Sequence, residues 1–140
     1  DPVVAMASVT SLLGTIYWMR SDKVFDTEAF SELMMAEATA SRLEHVMDQC
    51  AQGIIPQGQI FHSSYRQLLD NPMSAIDAFY DFFKLPLTGK TRQAMQNYLE
   101  QKPRGKFGRH DYFAGDPAEI AASRQRFKRY QDFYQVADEI

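Results

Sequence analysis

The chain has few of the residues on which disulfides, membrane spans and export depend. Its 140 residues include a single cysteine, Cys50, which cannot form an internal disulfide. The longest apolar stretches are interrupted by Ser, Thr and Gly, and no basic segment precedes an apolar one. The sequence therefore predicts no membrane span, no secretory signal peptide and a location in the reducing cytoplasm.

Motifs of several enzyme classes are absent as well. The sequence contains no Walker A motif, no Gly-x-Gly-x-x-Gly and no Gly-x-Ser-x-Gly nucleophile motif. His45, His62 and His110 have no ligand spacing with one another or with Cys50, so no metal site is predicted.

Apolar and aromatic residues, in contrast, are plentiful enough to build a core. They make up 45% and 13% of the chain, and their spacing is mainly that of helices. Five main helices are predicted, over residues 2–19, 26–52, 72–84, 89–101 and 117–134, with a shorter piece over 65–69. Only residues 59–63 have the composition of a strand, and it is short. The predicted fold class is mostly α.

A lone strand is unusual because strands need neighbours. Either residues 59–63 pair with a sheet outside this chain, or they form a weak edge. The chain also opens with Asp1-Pro2, directly at the start of a helical pattern. Both features favour the interpretation that residues 1–140 are part of a larger domain.

Residues 102–110 form a basic, glycine-bearing stretch in an otherwise acidic protein. They contain four Lys or Arg and no acid, whereas the rest of the chain has 11 basic and 18 acidic residues. Arginine, lysine and glycine amides together are typical of an anion site. A solvated basic loop is the alternative, and nucleic acid is disfavoured because the remainder is acidic.

Three motifs, taken in order, resemble the sulfotransferase family of bacteria, which uses 3′-phosphoadenosine 5′-phosphosulfate as sulfuryl donor. The first is Asp1-Pro2 with Ser8, then Ser11-Leu12, followed by Trp18-x-Arg20-Ser21-Asp22. The second is Tyr65-x-x-Leu68-x-x-Asn71-Pro72, followed by Leu85-Pro86-Leu87. The third runs from Asn97-Tyr98-Leu99 to Pro103-Arg104-Gly105-Lys106-Phe107-Gly108-Arg109-His110. Together they cover nearly the whole chain.

The resemblance implies the C-terminal portion of a single sulfotransferase domain, similar to the C-terminal half of that family's α/β P-loop-like fold. By similarity, Ser8 would contact the 3′-phosphate and Tyr65 the adenine side of the nucleotide. Arg104, Gly105 and Lys106 are the nearest match to the loop that closes over the 3′-phosphate. The sulfuryl acceptor would be a hydroxyl of a small molecule, lipid or glycan.

The chain also departs from the family pattern. The family's phosphosulfate loop and the Arg that precedes Asp1 have no counterpart here, and Arg66 and Gln67 replace acids. The catalytic residue is therefore unknown, and these residues alone are expected to have little activity. The alternative function is an inactive helical interaction module, in which Ser8 permits close helix packing and Tyr65 is a buried tyrosine. If the N-terminal half of the domain is absent, the apolar faces of residues 3–18 and 60–63 would be exposed or covered by another chain, which would favour a homo-oligomer.

Overall fold

The computed structural model describes residues 1–24, 26, 35–103, 108 and 112–140. Helix accounts for 69% of these residues, which confirms the mostly α prediction. The α-helices are α1 (Pro2–Arg20), α2 (Ala36–Ala51), α3 (Tyr65–Asp70), α4 (Pro72–Phe82), α5 (Gly89–Gln101) and α6 (Pro117–Tyr134), with a short 3₁₀ helix at Gln57–Gln59.

Side-chain caps fix the starts of four of these helices. Asp1, Asn71 and Thr88 each accept a hydrogen bond from a backbone amide in the first turn of α1, α4 and α5. At α6, Asp116 accepts from two such amides, and Glu119 accepts from the Asp116 amide in return. These reciprocal bonds form a capping box, and they satisfy amides that a helix leaves unpaired.

The first compact unit contains Asp1–Gln49 and His110–Ile140. Its core centres on Phe127 of α6, which is fully buried, and includes Val3 of α1 and Ala40 of α2. Met6, Ala36, Leu43, Ala114 and Ile120 pack around these three. One face of each of three helices therefore meets at a single aromatic side chain.

Ion pairs between α2 and α6 reinforce this packing at the surface. Arg126 lies 3.0 Å from Glu37, and Arg129 pairs with both Asp48 and Glu44. The hydrogen bond from Arg129 holds the pKa of the Asp48 carboxyl below its ordinary value, and that bond also raises the pKa of Arg129. Both groups are exposed, so these pairs align the helices more than they stabilise them.

The second compact unit, Cys50–Arg109, packs aromatic side chains at its surface. Phe61 meets Phe79 and Phe82 of α4 at ring-centroid distances of 5.7 and 5.5 Å. Phe79 and Phe82 each stack edge-to-face on Phe83, at 5.0 and 4.9 Å. An ion pair between Asp77 and Arg92 joins α4 to α5.

The predicted strand over residues 59–63 is wrong. Ile60 has extended backbone angles, φ −121° and ψ 123°, but no strand forms among the residues that the structure describes. The apolar side chain of Phe61 packs on α4 instead of entering a sheet. An extended segment without a neighbouring strand has no ladder to join.

The predicted second helix, over residues 26–52, is not continuous. Residues 27–34 lie outside the described residues, and Met35 is not helical, so α2 begins at Ala36. Its C-terminal end at Ala51 is close to the prediction, because Gly53 adopts a φ of 72° there.

Candidate functional site

Ser8 lies in the second turn of α1, in the first unit, and is half-buried. It follows Asp1 by seven residues, which is nearly two turns, so the two residues share a face of the helix. Thr15, another seven residues on, continues this face, and its hydroxyl donates to the carbonyl of Ser11 at 2.9 Å. Ser8, Ser11 and Thr15 thus lie near one line along a mostly apolar helix, whose other polar residues are Thr10 and Arg20.

The positive end of α1 is already complemented by a carboxylate. The Asp1 side chain is fully buried, and its Oδ1 accepts from the Val3 amide at 3.0 Å. Because Asp1 uses the helix N-terminus, a phosphate near Ser8 would depend on side-chain donors more than on the α1 backbone.

Tyr65 opens α3 in the second unit, and 67% of it is exposed. The alternative of a buried tyrosine with a satisfied hydroxyl is therefore wrong. An exposed ring at a helix start can stack on a planar base. Ser8 lies in the first compact unit, and Tyr65 lies in the second.

Arg104, Gly105 and Lys106 lie outside the described residues, but both flanks of this basic loop are described. On one side Lys102 ends α5 and places its Nζ 4.9 Å from the centroid of the Tyr98 ring. On the other side Gly108 has a φ of 96°, a conformation that other residues rarely adopt. Gly108 thus holds a conformation that favours glycine, and the proposed roles of Arg104, Gly105 and Lys106 remain predictions.

An open groove of about 670 Å³ lies between α6 and residues 135–138 in the first unit. Its charged groups are already paired, Lys128 with Asp132 at 2.9 Å and Arg124 with Asp138. The groove therefore offers no free cation to an anionic ligand. Within the described part of the chain, no cluster of His, Cys, Asp and Glu suits a metal ion either.

By length and composition, α1 is long and apolar enough to cross a membrane. Only 6% of its most apolar 18-residue stretch is buried. The sequence predicted no membrane span because Ser, Thr and Gly interrupt the apolar stretches. These residues do not interrupt the helix, so α1 is long enough to cross a membrane. One such helix does not establish a span, because core helices of soluble proteins and signal sequences share these properties.

Sequence reasoning missed the network around Asp1. Arg124 of α6 lies 3.3 Å from the Asp1 carboxylate and also pairs with Asp138. The residues are 123 and 14 positions apart, and nothing in their local patterns links them; only the packing of α1 on α6 brings them together.

Comparison of the chain with protein-family models, curated proteins and solved structures gave no match.

Proposed function

We propose that this chain supplies the nucleotide side of a sulfotransferase that uses 3′-phosphoadenosine 5′-phosphosulfate. The observation that carries the proposal is the order and spacing of the three motifs along the chain. Each motif by itself is common, but three in one order over nearly all 140 residues favour a shared ancestry.

Several features of the described residues support a nucleotide site. The ring of Tyr65 is exposed and available for stacking on adenine. Ser8 presents a hydroxyl on a half-buried helix face. Residues 102–110 contain four cations and no acid, a composition that suits phosphate oxygens.

The bound donor would supply an activated sulfuryl group. In such a transfer, the bond from sulfur to the phosphate oxygen would break, a bond from sulfur to the acceptor oxygen would form, and the acceptor hydroxyl would lose its proton. The residues proposed here would bind and orient the nucleotide: Tyr65 the base, Ser8 and the 104–106 loop the 3′-phosphate. The group that takes the proton is not among them.

Titration with adenosine 3′,5′-bisphosphate tests this proposal directly. We expect the wild-type chain to bind, and Arg104→Ala to weaken binding about tenfold, because a charge-assisted phosphate contact is worth about 1.5–3 kcal/mol. Raising the ionic strength should weaken binding in parallel.

Lys90→Ala is the matched control, since Lys90 is an exposed cation on α5 outside the proposed site. Adenosine 5′-phosphate, which lacks the 3′-phosphate, should bind less tightly than the bisphosphate and should not distinguish Arg104→Ala from wild type. Equal affinities of wild type and Arg104→Ala for the bisphosphate would contradict the proposal.

A second candidate, a helical interaction module without catalytic activity, is favoured by the surface of α1. Leu12, Trp18 and Met19 are 58%, 77% and 72% exposed. Such an apolar surface favours association. If this is the function, Trp18→Ser should shift the chain toward monomer in light scattering. Neither the wild type nor Trp18→Ser should then bind the nucleotide.

A further inference from the structure

One face of α1 carries an apolar stripe that is exposed over most of its length. Val9, Leu12, Ile16 and Met19 follow one another at spacings of three, four and three residues. At 3.6 residues per turn, these positions fall within about 80° of one another around the helix. They are 39%, 58%, 42% and 72% exposed. The apolar stripe therefore faces outward.

The first two turns of α1 are used differently. Pro2 and Val3 are buried, and Met6 packs against the core around Phe127. The remaining residues 9–20 extend about 18 Å at 1.5 Å per residue, whereas the apolar interior of a bilayer is about 30 Å thick. While its first turns remain in the core, α1 therefore has too few residues left to cross a membrane.

The apolar stripe fits another helix better than a membrane surface. Apolar residues three and four positions apart form the narrow seam along which two helices interlock their side chains. A helix that lies on a membrane instead has Lys and Arg on its polar face. Residues 2–19 contain no charged side chain, and the line beside the stripe consists of Ser8, Ser11 and Thr15. The occupant of the stripe is therefore expected to be a helix.

The charges at the two ends of α1 indicate which helix this is. Arg20 and Lys23 are exposed at the C-terminal end, with Asp22 between them. At the N-terminal end, the Glu139 amide donates to Asp1 Oδ2 at 3.0 Å. The Glu139 carboxylate lies 3.7 Å from the amino group of Asp1, and its side chain is 52% exposed. A carboxylate has room for more than one donor, so Glu139 can accept a second cation.

We propose that the apolar stripe is the seam of an antiparallel pair with a second copy of this chain. With Val9 opposite Met19 of the copy, Leu12 lies opposite Ile16 of the copy, and each copy directs its Arg20 toward the acidic end of the other. A parallel copy would place like charges side by side. The proposal does not depend on nucleotide binding. It names the surface and the partner for the alternative of an interaction module.

The area of the stripe sets the expected strength of the pair. Its four side chains expose on the order of 400 Å² per chain, the size of patch that marks interaction sites. A standard interface buries about 800 Å² on each partner. The pair is therefore expected to be weak, with a dissociation constant of about 10–100 µM.

Sedimentation equilibrium of the whole chain, from about 10 µM to about 1 mM, brackets this affinity. We expect Leu12→Gln and Ile16→Gln each to weaken the pair about tenfold or more, because each places a polar group in the seam. Val46→Gln is the matched control, since Val46 is a 47% exposed apolar residue on α2 and should leave the pair unchanged. All three side chains are exposed, so circular dichroism of the dilute variants should match that of the wild type.

Cysteine pairs determine the orientation of the two helices. In a Cys50→Ser background, Val9→Cys and Met19→Cys are oxidised separately and as an equal mixture. In the antiparallel pair only the mixture forms the disulfide readily, because each residue lies opposite the other and disulfides need Cα atoms about 4.4–6.8 Å apart. In a parallel pair each variant would form a disulfide with itself.

Several results would overturn the proposal. A wild-type chain that stays monomeric at about 1 mM, or that binds phosphatidylcholine vesicles instead of pairing, would show that no second copy covers the stripe. Equal weakening by Leu12→Gln and Val46→Gln would show association without a defined seam. If Trp18→Ser dissociates the chain while Leu12→Gln and Ile16→Gln do not, the interaction module stands but the seam does not. The sulfotransferase proposal is tested separately by the nucleotide titration.

Discussion

The two compact units bury their side chains in different ways. In the first, three helices converge on Phe127, which has no exposed surface, and ion pairs join α6 to α2 and to Asp1. In the second, the aromatic rings of Phe61, Phe79 and Phe82 contact one another while Phe79 and Phe82 remain 40% and 43% exposed. The first unit is stabilised by burial and the second by ring contacts that are partly solvated.

This difference has a physical consequence for stability. Removing a fully buried side chain leaves a cavity that the surroundings fill only partly, whereas a half-exposed one leaves space that water can enter. The first unit is therefore expected to be more sensitive to single truncations at its centre, and the second to depend on the sum of several weaker contacts.

The largest expected effect compares the same substitution in the two units. Phe127→Ala should lower the free energy of unfolding by about 3–5 kcal/mol, in the range for buried aromatic truncations. Phe79→Ala should cost about 1–2 kcal/mol, because it loses edge-to-face contacts and only part of its burial. Urea unfolding followed by circular dichroism measures both, and equal losses would show that the units do not differ as described.

A smaller effect on stability is expected from substitutions at residues with a positive φ, one in each unit. Gly115 has a φ of 112°, and a Cβ there would lie 2.8 Å from Glu119 Oε2, which caps α6. Gly115→Ala should therefore destabilise the first unit by about 1–3 kcal/mol. In the second unit Lys84 has a φ of 54°, so Lys84→Gly should stabilise it by up to about 1 kcal/mol.

Each of these two substitutions has a control for which a different result is expected. Gly58→Ala has open space around its Cβ and should be nearly neutral. Lys90→Gly, inside α5, should destabilise rather than stabilise, since glycine weakens a helix. If thermal unfolding shows a loss for Lys84→Gly, the left-handed turn does not limit the stability of the second unit.

The smallest effect concerns the exposed pair of Asp48 and Arg129 in the first unit. Arg129 lowers the pKa of Asp48 below the ordinary aspartate value of 3.8. The pair therefore contributes stability above about pH 4, and the contribution is lost as pH falls through the lower pKa of the folded state. Stability of wild type should fall more steeply below pH 4 than that of Asp48→Asn.

Salt provides the check on this last prediction. At about 1 M salt the screening length is about 3 Å, so wild type and Asp48→Asn should follow the same pH profile. Asp22→Asn, an exposed aspartate in the same unit, serves as the matched control at low salt. A difference that persists unchanged at high salt would contradict an exposed electrostatic origin.

Local patterns were sufficient to predict most helices in both units. The bounds of α5 and α6 agree with the sequence prediction, because Thr88 and Asp116 cap amides two or three residues away. Residues 59–63 show where such reasoning fails. Their composition favours extended backbone, and Ile60 is extended, but a strand also needs a neighbour that no local pattern supplies.

The candidate site, like the fold, was predictable from the sequence only in part. The motifs around Ser8, Tyr65 and residues 104–106 could be recognised in the sequence, whereas the positive φ of Gly108 could not. The exposure of these side chains could not be predicted from the sequence. Tyr65 is exposed and the Asp1 side chain is buried because of how the helices pack.

By itself, the sequence determined the helical class, the bounds of α5 and α6 and the basic stretch in an acidic chain, because these depend on residues within a few positions of one another. Only the tertiary structure decided that Phe127 is the centre of a core and that α1 is largely exposed. It also decided that Asp1, Arg124 and Asp138 form one network. Burial and ion pairing join residues that are distant along the chain, and their partners are chosen by the packing of whole helices.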